Sequence, residues 1–575
     1  MPCNPFPYKA IFIAHATVQL ASAIRLVWLR ALSFSVRFYN LMISMMGISV
    51  HTLSYIHPDR EVLFQNINLS LAKGQKAALV GNNGTGKSTL LRIIAGDLAP
   101  SQREAVLSGQ TWYVPQHLGQ YDHVSVAQVL AVDQKLDALH AILAGEVTPG
   151  HFTILADDWD IEERVAAALS AWDLQHLDFF QTMQSLSGGE KTKVFLAGIA
   201  IHSPDVVLLD EPSNHLDAGS REMLYVWIRK YAGTLMVVSH DRTLLNQLDT
   251  ILELGKTGIE VFGGNYDFYI SQKEGKLQAL QSRLDENEKA LKLAREKARE
   301  VAEQRQKKEA RGKTQGQKQS LPRIIAGGRK TQAEQSTARI MDVHGERIDD
   351  LAENLQQIRT QIQDYQVLKI DLRKSGLHKG KILVEAKDIN FSYEEIKLWH
   401  FPLSFQIRSG DRIRIEGKNG SGKTTLVNLL TGVLKPTAGE LYLGDFRHIY
   451  IDQEYALIDN ALSVFEQLQW FNVRHLPESA LKTLLHYHQF PREVWNRKGA
   501  GLSGGEKMKL ALCCISASNN MPDLLILDEP TNNLDAHSQN VLTEAVKYFD
   551  GAVLVISHDA FFITEINTDK TIFLD

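Results

Sequence analysis

The sequence predicts an α/β protein of two similar halves joined by a long antiparallel helical hairpin, and three observations carry that prediction. A glycine-rich octapeptide occurs twice, as Gly81-Asn82-Asn83-Gly84-Thr85-Gly86-Lys87-Ser88 and as Gly417-Lys418-Asn419-Gly420-Ser421-Gly422-Lys423-Thr424. The same downstream motifs follow each copy in the same order. Between the halves lies a charged stretch with the spacing of paired helices. At 575 residues the chain is too long for one core. The boundaries read as an N-terminal extension over 1–46, a first α/β domain over 47–270, a linker over 271–379 and a second α/β domain over 380–575.

Both octapeptides fit G-x-x-x-x-G-K-[ST], and each lies between an apolar run (Ala77 to Val80; Ile413 to Ile415) and a helical run (Thr89 to Ala95; Thr425 to Leu430). Strand, loop and helix are the context in which this pattern cradles phosphates. Its glycines let backbone N–H groups turn onto the oxygens, the helix N-terminus adds positive potential, and Lys87 or Lys423 answers the terminal phosphates. Ser88 and Thr424 are the hydroxyl ligands expected for Mg2+; Thr89 and Thr425 follow them on the helix.

Composition sets the limits. Hydrophobic content of 44% and charged content of 22% are those of a globular protein. With only Cys3, Cys513 and Cys514, no disulfide framework or cysteine metal site can be built, which favours a reducing, cytoplasmic compartment. The adjacent cysteines read as small apolar residues on a buried helix. The first 45 residues carry Lys9, Arg25, Arg30 and Arg37 and no acid. They read as a targeting segment or, preferably, as residues ahead of a natural start at Met45 or Met46.

Further along each half, Tyr55 stands about 26 residues before Gly81 and Tyr393 about 24 before Gly417, positions from which an aromatic ring could stack on adenine. No NKxD-type stretch reads guanine, so ATP is the expected nucleotide. Gln116 and Gln453 each follow a strand and are expected to reach Mg2+ or a water. Ser187-Gly188-Gly189-Glu190 and Ser503-Gly504-Gly505-Glu506 each open a helix, where unobstructed backbone N–H groups form a second anion-binding corner. Asp210-Glu211 and Asp528-Glu529 close apolar strands; the aspartate suits Mg2+ and the glutamate an attacking water. Ser239-His240-Asp241 and Ser557-His558-Asp559 end another strand in each half, and the repetition favours a functional over a structural histidine.

Loop, glutamine, LSGGE, DEP and histidine, in that order and twice, resemble the ATP-binding cassette superfamily over about three quarters of the chain. The resemblance implies two cassettes stacked head to tail. Lys87 would then share its nucleotide with Ser503 and Gly505, and Lys423 with Ser187 and Gly189. It also implies Glu211 and Glu529 as general bases and His240 and His558 as groups reaching the terminal phosphate. Because the cassettes pair within one chain, a monomer is expected. One asymmetry is visible, His215 against Asn533.

No run of 18 or more apolar residues occurs, so the chain brings no helical membrane domain of its own. In the linker, Leu277, Leu280, Leu284, Asn287, Leu291, Ala294, Ala298 and Val301 form a heptad seam, and Ile348, Leu351, Leu355, Ile358, Ile362 and Tyr365 form another. A first helix of about 30 residues would span on the order of 45 Å. The expected tip, 305–330, is basic, with Arg305, Lys307, Lys308, Arg311, Lys313, Lys318, Arg323, Arg329 and Lys330 against Glu309 alone, and Gly312, Gly316, Pro322, Gly327 and Gly328 are expected to keep it from being regular helix. Such a tip suits a phosphate backbone.

With the stretch Gly264-Asn265-Tyr266-Asp267-Phe268-Tyr269, the two cassettes and the linker resemble the ABC-F proteins. That resemblance implies a ribosome-associated ATPase whose linker approaches tRNA and rRNA. The longer first-half segment, about 117–164, would be an arm touching the ribosome. Its Asp157, Asp158, Asp160, Glu162 and Glu163 disfavour direct rRNA contact through those side chains. The rival expectation is an energy subunit docking on separate membrane proteins, against which the long linker counts.

Overall fold

The computed structural model describes residues 46–316, 345–362 and 378–574, apart from 59, 61, 102–104, 108, 256–257, 395, 419, 474, 489, 519–520 and 533. Residues 1–45 of the N-terminal extension, Asn419, Asn533, Tyr365, Lys318, Pro322, Arg323, Gly327, Gly328, Arg329 and Lys330 therefore lie outside the described residues. Described residues fall into two units, one made of 46–266 with 378–574 and one made of 267–316 with 345–362.

Within the first unit the two cassettes repeat one topology. The first has a six-stranded sheet in the order Thr111–Val114, Val206–Asp210, Thr234–Val238, Lys76–Val80, Thr250–Gly255, Gly258–Gly263, parallel except for the last hairpin strand. The second orders His448–Ile451, Leu524–Asp528, Ala552–Ile556, Arg412–Gly417 and Lys570–Leu574, all parallel. Val206–Asp210, Thr234–Val238 and Ala552–Ile556 are buried along their whole length. This explains why their sequences are continuous apolar runs rather than alternating ones. Each cassette adds a three-stranded antiparallel sheet, Val62–Ala72, Met46–Ile56, Ala105–Leu107 in the first and Leu403–Arg408, Ile382–Asn390, Ala438–Leu443 in the second. The phosphate-loop helices, Lys87–Ala95 and Lys423–Leu430, bury their apolar faces between the two sheets, with Leu90, Leu91 and Ile94 in one core and Leu426, Leu429 and Leu430 in the other. The expected thiol pair is buried on the helix Gly504–Ala517.

Between glutamine and signature the two halves differ. Both use a serine capping box, Ser125 with Gln128 and Ser463 with Glu466, to start a short helix. The first half then adds the helices Asp133–Leu143 and Pro149–Leu155 before Ile161–Ser170. Two of its acidic residues are engaged within the insert: Asp158 accepts from Lys135 at 2.7 Å and from Arg164 at 2.6 Å, and Glu162 lies 3.2 Å from His140. They tie the insert's helices together.

In the second unit one helix runs continuously over Tyr266–Gly316, 51 residues, or about 77 Å at the usual rise. Residues 345–362 form another helix. The seam positions from Leu277 to Val301 are the half-buried ones, and Leu355 and Ile362 are buried opposite them. Glu288 accepts from Arg359 at 2.7 Å across the pair. The expectation that Gly312 breaks the helix is corrected: the helix passes through it and ends at Gly316. One glycine costs only about 1 kcal/mol in a helix interior, and its neighbours Lys307, Lys308, Glu309, Ala310, Arg311 and Lys313 are good helix formers.

Leu79 is fully buried in the central strand of the first cassette. Leu79→Ala is expected to destabilise that cassette by about 2–5 kcal/mol, read as a lower midpoint of its urea unfolding transition.

Candidate active site

Each phosphate loop is forced by its glycines. Gly86 has φ 93° and Gly422 φ 88°, and a Cβ there would stand 2.6 Å from Leu63 Cδ2 or 2.4 Å from Leu398 Cδ2, so both conformation and space demand glycine. Thr85 donates to the Asn82 carbonyl at 2.9 Å and closes the turn. Lys87 Nζ donates to the carbonyls of Gly81 at 2.8 Å and Asn82 at 3.1 Å; Lys423 Nζ donates to Gly417 and Lys418, each at 2.8 Å. Burial pulls both ammonium groups below the usual lysine range, and Glu211, Asp535 and Asp210 oppose this at Lys87 as Glu529, Asp528 and Asp217 do at Lys423.

The strand register brings the carboxylates beside these loops. Asp210 pairs across with Val238 and Asp528 with Ile556, at the carboxyl ends of the sheets where α/β folds place their sites. The next residues leave the strand in the left-handed region, Glu211 at φ 49° and Glu529 at φ 46°. Each is held there because its N–H donates at 2.8 Å to the neighbouring strand end, Val238 or Ile556. That costly backbone turn aims both carboxyls at the histidines. Glu211 Oε1 lies 3.4 Å from His240 Nε2 and Glu529 Oε1 lies 3.3 Å from His558 Nε2. The His240 N–H also donates to Glu211 Oε2 at 3.3 Å. Burial, reinforced by Asp210, pushes the Glu211 carboxyl up and burial pushes His240 down. In the second pair burial raises Glu529 to about 7 and lowers His558 to about 4.

Asp210 accepts from Tyr113 Oη at 3.2 Å and from the Ser88 hydroxyl, and Asp528 accepts from Tyr450 Oη at 3.0 Å. Asp210 Oδ1 is buried without a partner. A hydroxyl, one carboxylate with an unsatisfied oxygen and room for phosphate oxygens fit Mg2+, which takes few protein ligands. No cluster of three or more His, Cys, Asp or Glu suited to a metal occurs among the described residues.

The two halves meet at the loops. Asn83 N–H donates to Asp535 Oδ2 at 3.0 Å, joining the first phosphate loop to the segment that follows Asp528-Glu529 in the other half. Asp535 also caps the helix Ala536–Lys547 by accepting from Ser538 N–H at 2.8 Å. Gly505 sits beside this junction: a Cβ on it would stand 2.8 Å from Ser538 Oγ and 3.6 Å from Asn83 Nδ2. A cavity of ≈ 690 Å³ lies between the halves, lined by Asn83, Lys87, Ser88, Thr89, Gln116, Asp210, Glu211 and His240 from one side and by Gln453, Leu502, Gly504 and Lys507 from the other. Around it, Arg242 Nη2 donates to Asn540 Oδ1 at 2.5 Å and Gln539 donates to the His240 carbonyl at 3.4 Å.

Ser187 and Ser503 are the N-caps of the helices Gly188–His202 and Gly504–Ala517, in capping boxes with Glu190 and Glu506, so these glutamates are turned back onto the helix start. Gln453, grouped by sequence with Lys423, lines the cavity around Lys87 together with its own half's signature. The Tyr393 hydroxyl meets Thr425 Oγ1 at 3.1 Å, whereas Tyr55 packs against its cassette's core and His57 lines the cavity instead. Sequence reasoning passed over Tyr113, Tyr450 and Asp535 as site residues. The available signal was repetition, a tyrosine three residues before each glutamine and an aspartate at the end of Ser213-Asn214-His215-Leu216-Asp217 and of Thr531-Asn532-Asn533-Leu534-Asp535.

This fold and site define a tandem nucleotide-binding ATPase, and comparison with known proteins gives the family. A family model described as ABC transporter matches residues 64–214 and again 401–532. The ribosome protection protein VmlR of Bacillus subtilis is 29% identical over 531 residues, covering 91% of this chain and 86% of that protein. ABC transporter F family member 5 of Arabidopsis thaliana is 28% identical over 542 residues, covering 88% of this chain and 72% of that protein. A solved structure titled RNase-L Inhibitor shares the fold, with TM-score 0.55 at 20% identity over 91% of this chain and 87% of that one. The chain belongs to the ABC-F family of tandem ATP-binding cassette proteins. No helix among the described residues is long and apolar enough to cross a membrane.

The raised Glu529 carboxyl makes a pH prediction. A carboxyl held above its unfolded value favours the folded state fully below about pH 4.5, and that contribution is lost as pH rises through about 7. Glu529→Gln is therefore expected to stabilise the nucleotide-free protein at pH 8 by at most about 3 kcal/mol from a shift of this size, read as a higher melting temperature at pH 8 and an unchanged one at pH 4.5.

Proposed function

We propose that the chain is an ATPase whose cassettes close on ATP and Mg2+ at two composite sites, and that closure governs binding to the ribosome. The observation that carries this reading is the cavity in which Lys87, Asp210, Glu211 and His240 of one half face Gly504 and Lys507 of the other. A nucleotide there would touch both halves and hold them together, so binding energy becomes closing energy.

In this reading Lys87 and the N–H groups of Gly84 to Ser88 take the phosphates of one ATP, with Ser503 and Gly505 opposite. Lys423 and its loop take the other, with Ser187 and Gly189 opposite. Ser88, Asp210 and Gln116 would hold Mg2+ in one site, and Thr424 and Asp528 in the other; Mg2+ would supply charge neutralisation on the phosphates. Glu211 and Glu529 each accept a proton from a water, whose oxygen attacks the terminal phosphorus as the bond to ADP breaks. A carboxyl with affinity for protons near neutral pH is a better base than a solvated one. His240 and His558 steady that carboxyl and face the phosphate being transferred. The products are ADP and phosphate, and their release would let the halves part.

VmlR supports the ribosome as partner, because it is named a ribosome protection protein and 91% of this chain is similar to it. The long helix supports RNA as what is touched. Its last turns carry Arg305, Lys307, Lys308, Arg311 and Lys313 against Glu309 alone, a density of charge suited to phosphates.

Glu211→Gln combined with Glu529→Gln removes both bases while keeping size and hydrogen-bonding reach. Hydrolysis is expected to fall by about 10²–10⁴-fold. In the presence of ATP the variant should sediment with ribosomes on gradients where the parent does not accumulate. A variant that binds ATP, does not hydrolyse it and stays free of ribosomes would refute the proposed partner.

A further inference from the structure

The turn that carries His240 is held from both halves of the molecule. In its own half it is fixed through Asp241, which accepts from the N–H groups of Thr243 and Leu244 and from Tyr225 Oη. The next side chain, Arg242, faces the other half. Its Nη2 donates to Asn540 Oδ1 at 2.5 Å, its Nη1 lies 3.5 Å from Glu565 Oε1, and its guanidinium stands 5.9 Å from the centre of the Phe561 ring. With the side chain only 17% exposed, the planar fork is engaged along its edge and over its face by three residues of the second half. Gln539, on the same helix as Asn540, adds a bond to the His240 carbonyl at 3.4 Å.

The equivalent places around His558 are filled differently. Ala560 follows Ser557-His558-Asp559 where Arg242 follows Ser239-His240-Asp241. Glu222 stands five residues past Asp217 as Asn540 does past Asp535, and Gln247 stands seven past His240 as Glu565 does past His558. Both of these first-half acceptors lie against Arg229 of their own half, Glu222 at 3.3 Å and Gln247 at 3.4 Å. Arg221, the counterpart of Gln539, donates its Nε to the Leu216 carbonyl at 3.0 Å, also within its half. A methyl group at position 560 cannot reach across, so the guanidinium bridge stands beside the first histidine alone.

We infer that Arg242 is a positioning residue for the first site: docked on Asn540, Glu565 and Phe561, it sets the His240 turn, and with it the Glu211–His240 pair, only when the halves are together. The second site works without that check. The inference rests on the reading of Glu211 and Glu529 as the bases of two ATP sites. His240 Nε2 lies 3.4 Å from Glu211 Oε1, so a shift of the turn displaces the group that steadies the base. A misplacement of about 1 Å can cost on the order of 100-fold in rate. Arg242 does not line the cavity around Lys87, so its effect belongs to turnover more than to ATP affinity.

The test reads each site separately, the first in a Glu529→Gln background and the second in a Glu211→Gln background. In the former, Arg242→Ala is expected to lower kcat about tenfold or more, with KM and the equilibrium affinity for ATP moved by less than about threefold. Asn540→Ala, a change in the other half, is expected to lower first-site kcat in the same way. The two together should cost no more than the larger alone, because they remove one contact. Arg242→Lys, which keeps a charge able to reach Glu565, should recover part of the rate. In the Glu211→Gln background Arg242→Ala should leave kcat within about twofold. The inference is overturned if both backgrounds lose turnover equally, if the losses from Arg242→Ala and Asn540→Ala add in full, or if the change falls on ATP affinity alone. Failure of both single-Gln proteins to hydrolyse ATP with Arg242 intact would overturn the reading of the two bases itself, an outcome separate from the others.

Discussion

The structure depends on one contact between its halves, the backbone N–H of Asn83 donating to the carboxylate of Asp535. Neither end of this bond would be comfortable alone. Asn83 belongs to a loop whose N–H groups face an anion site, and Asp535 is a mostly buried carboxylate. Its charge is stabilised by Asn83, Ser538 and Lys509, which hold its pKa below the usual range despite burial. Each half supplies the polar partner that the other needs, and the cavity beside the bond inherits walls from both.

A second constraint is electrostatic. Asp210 and Glu211 are buried at the end of an apolar strand beside the buried Lys87, and Asp528 and Glu529 are partly buried beside the partly buried Lys423. Desolvation drives Glu211 and Glu529 toward neutrality, and the lysines lose part of their own affinity for protons. Such a cluster is costly without a ligand to complete it, and a triphosphate with its cation is a ligand of the matching charge pattern. The left-handed backbone at both glutamates is part of the same cost, held in place by strand-end hydrogen bonds.

Much of this was legible in the chain, for identifiable reasons. Val206 to Leu209 and Leu524 to Leu527 read as buried strands because continuous apolar runs ending in charge have few other homes. The linker seam was legible because heptad spacing maps directly onto a helix face, and the half-buried positions from Leu277 to Val301 follow it. Other features escaped because sequence carries residue type better than side-chain direction. Tyr55 and His57 are two apart on an extended segment that ends in a turn, and only their packing tells which ring faces the cavity. Gly312 looked like a breaker because local propensity was weighed against nothing, while the helix around it had strong formers on both sides. The insert's acids read in sequence only as disfavouring rRNA contact, and Asp158 is bridged to Lys135 and Arg164.

The central claim is that each nucleotide is shared diagonally, and nucleotide stoichiometry tests it most directly. Ser187→Asp and Ser503→Asp keep a side chain able to cap the signature helices while placing a negative charge against an incoming phosphate. Lys87→Ala combined with Ser503→Asp would damage one composite site, and the protein should still retain one ATP. Lys87→Ala combined with Ser187→Asp would damage both, and it should retain none. The reverse pattern, one ATP kept by the second pair and none by the first, would mean that each cassette binds its nucleotide alone, contradicting the account.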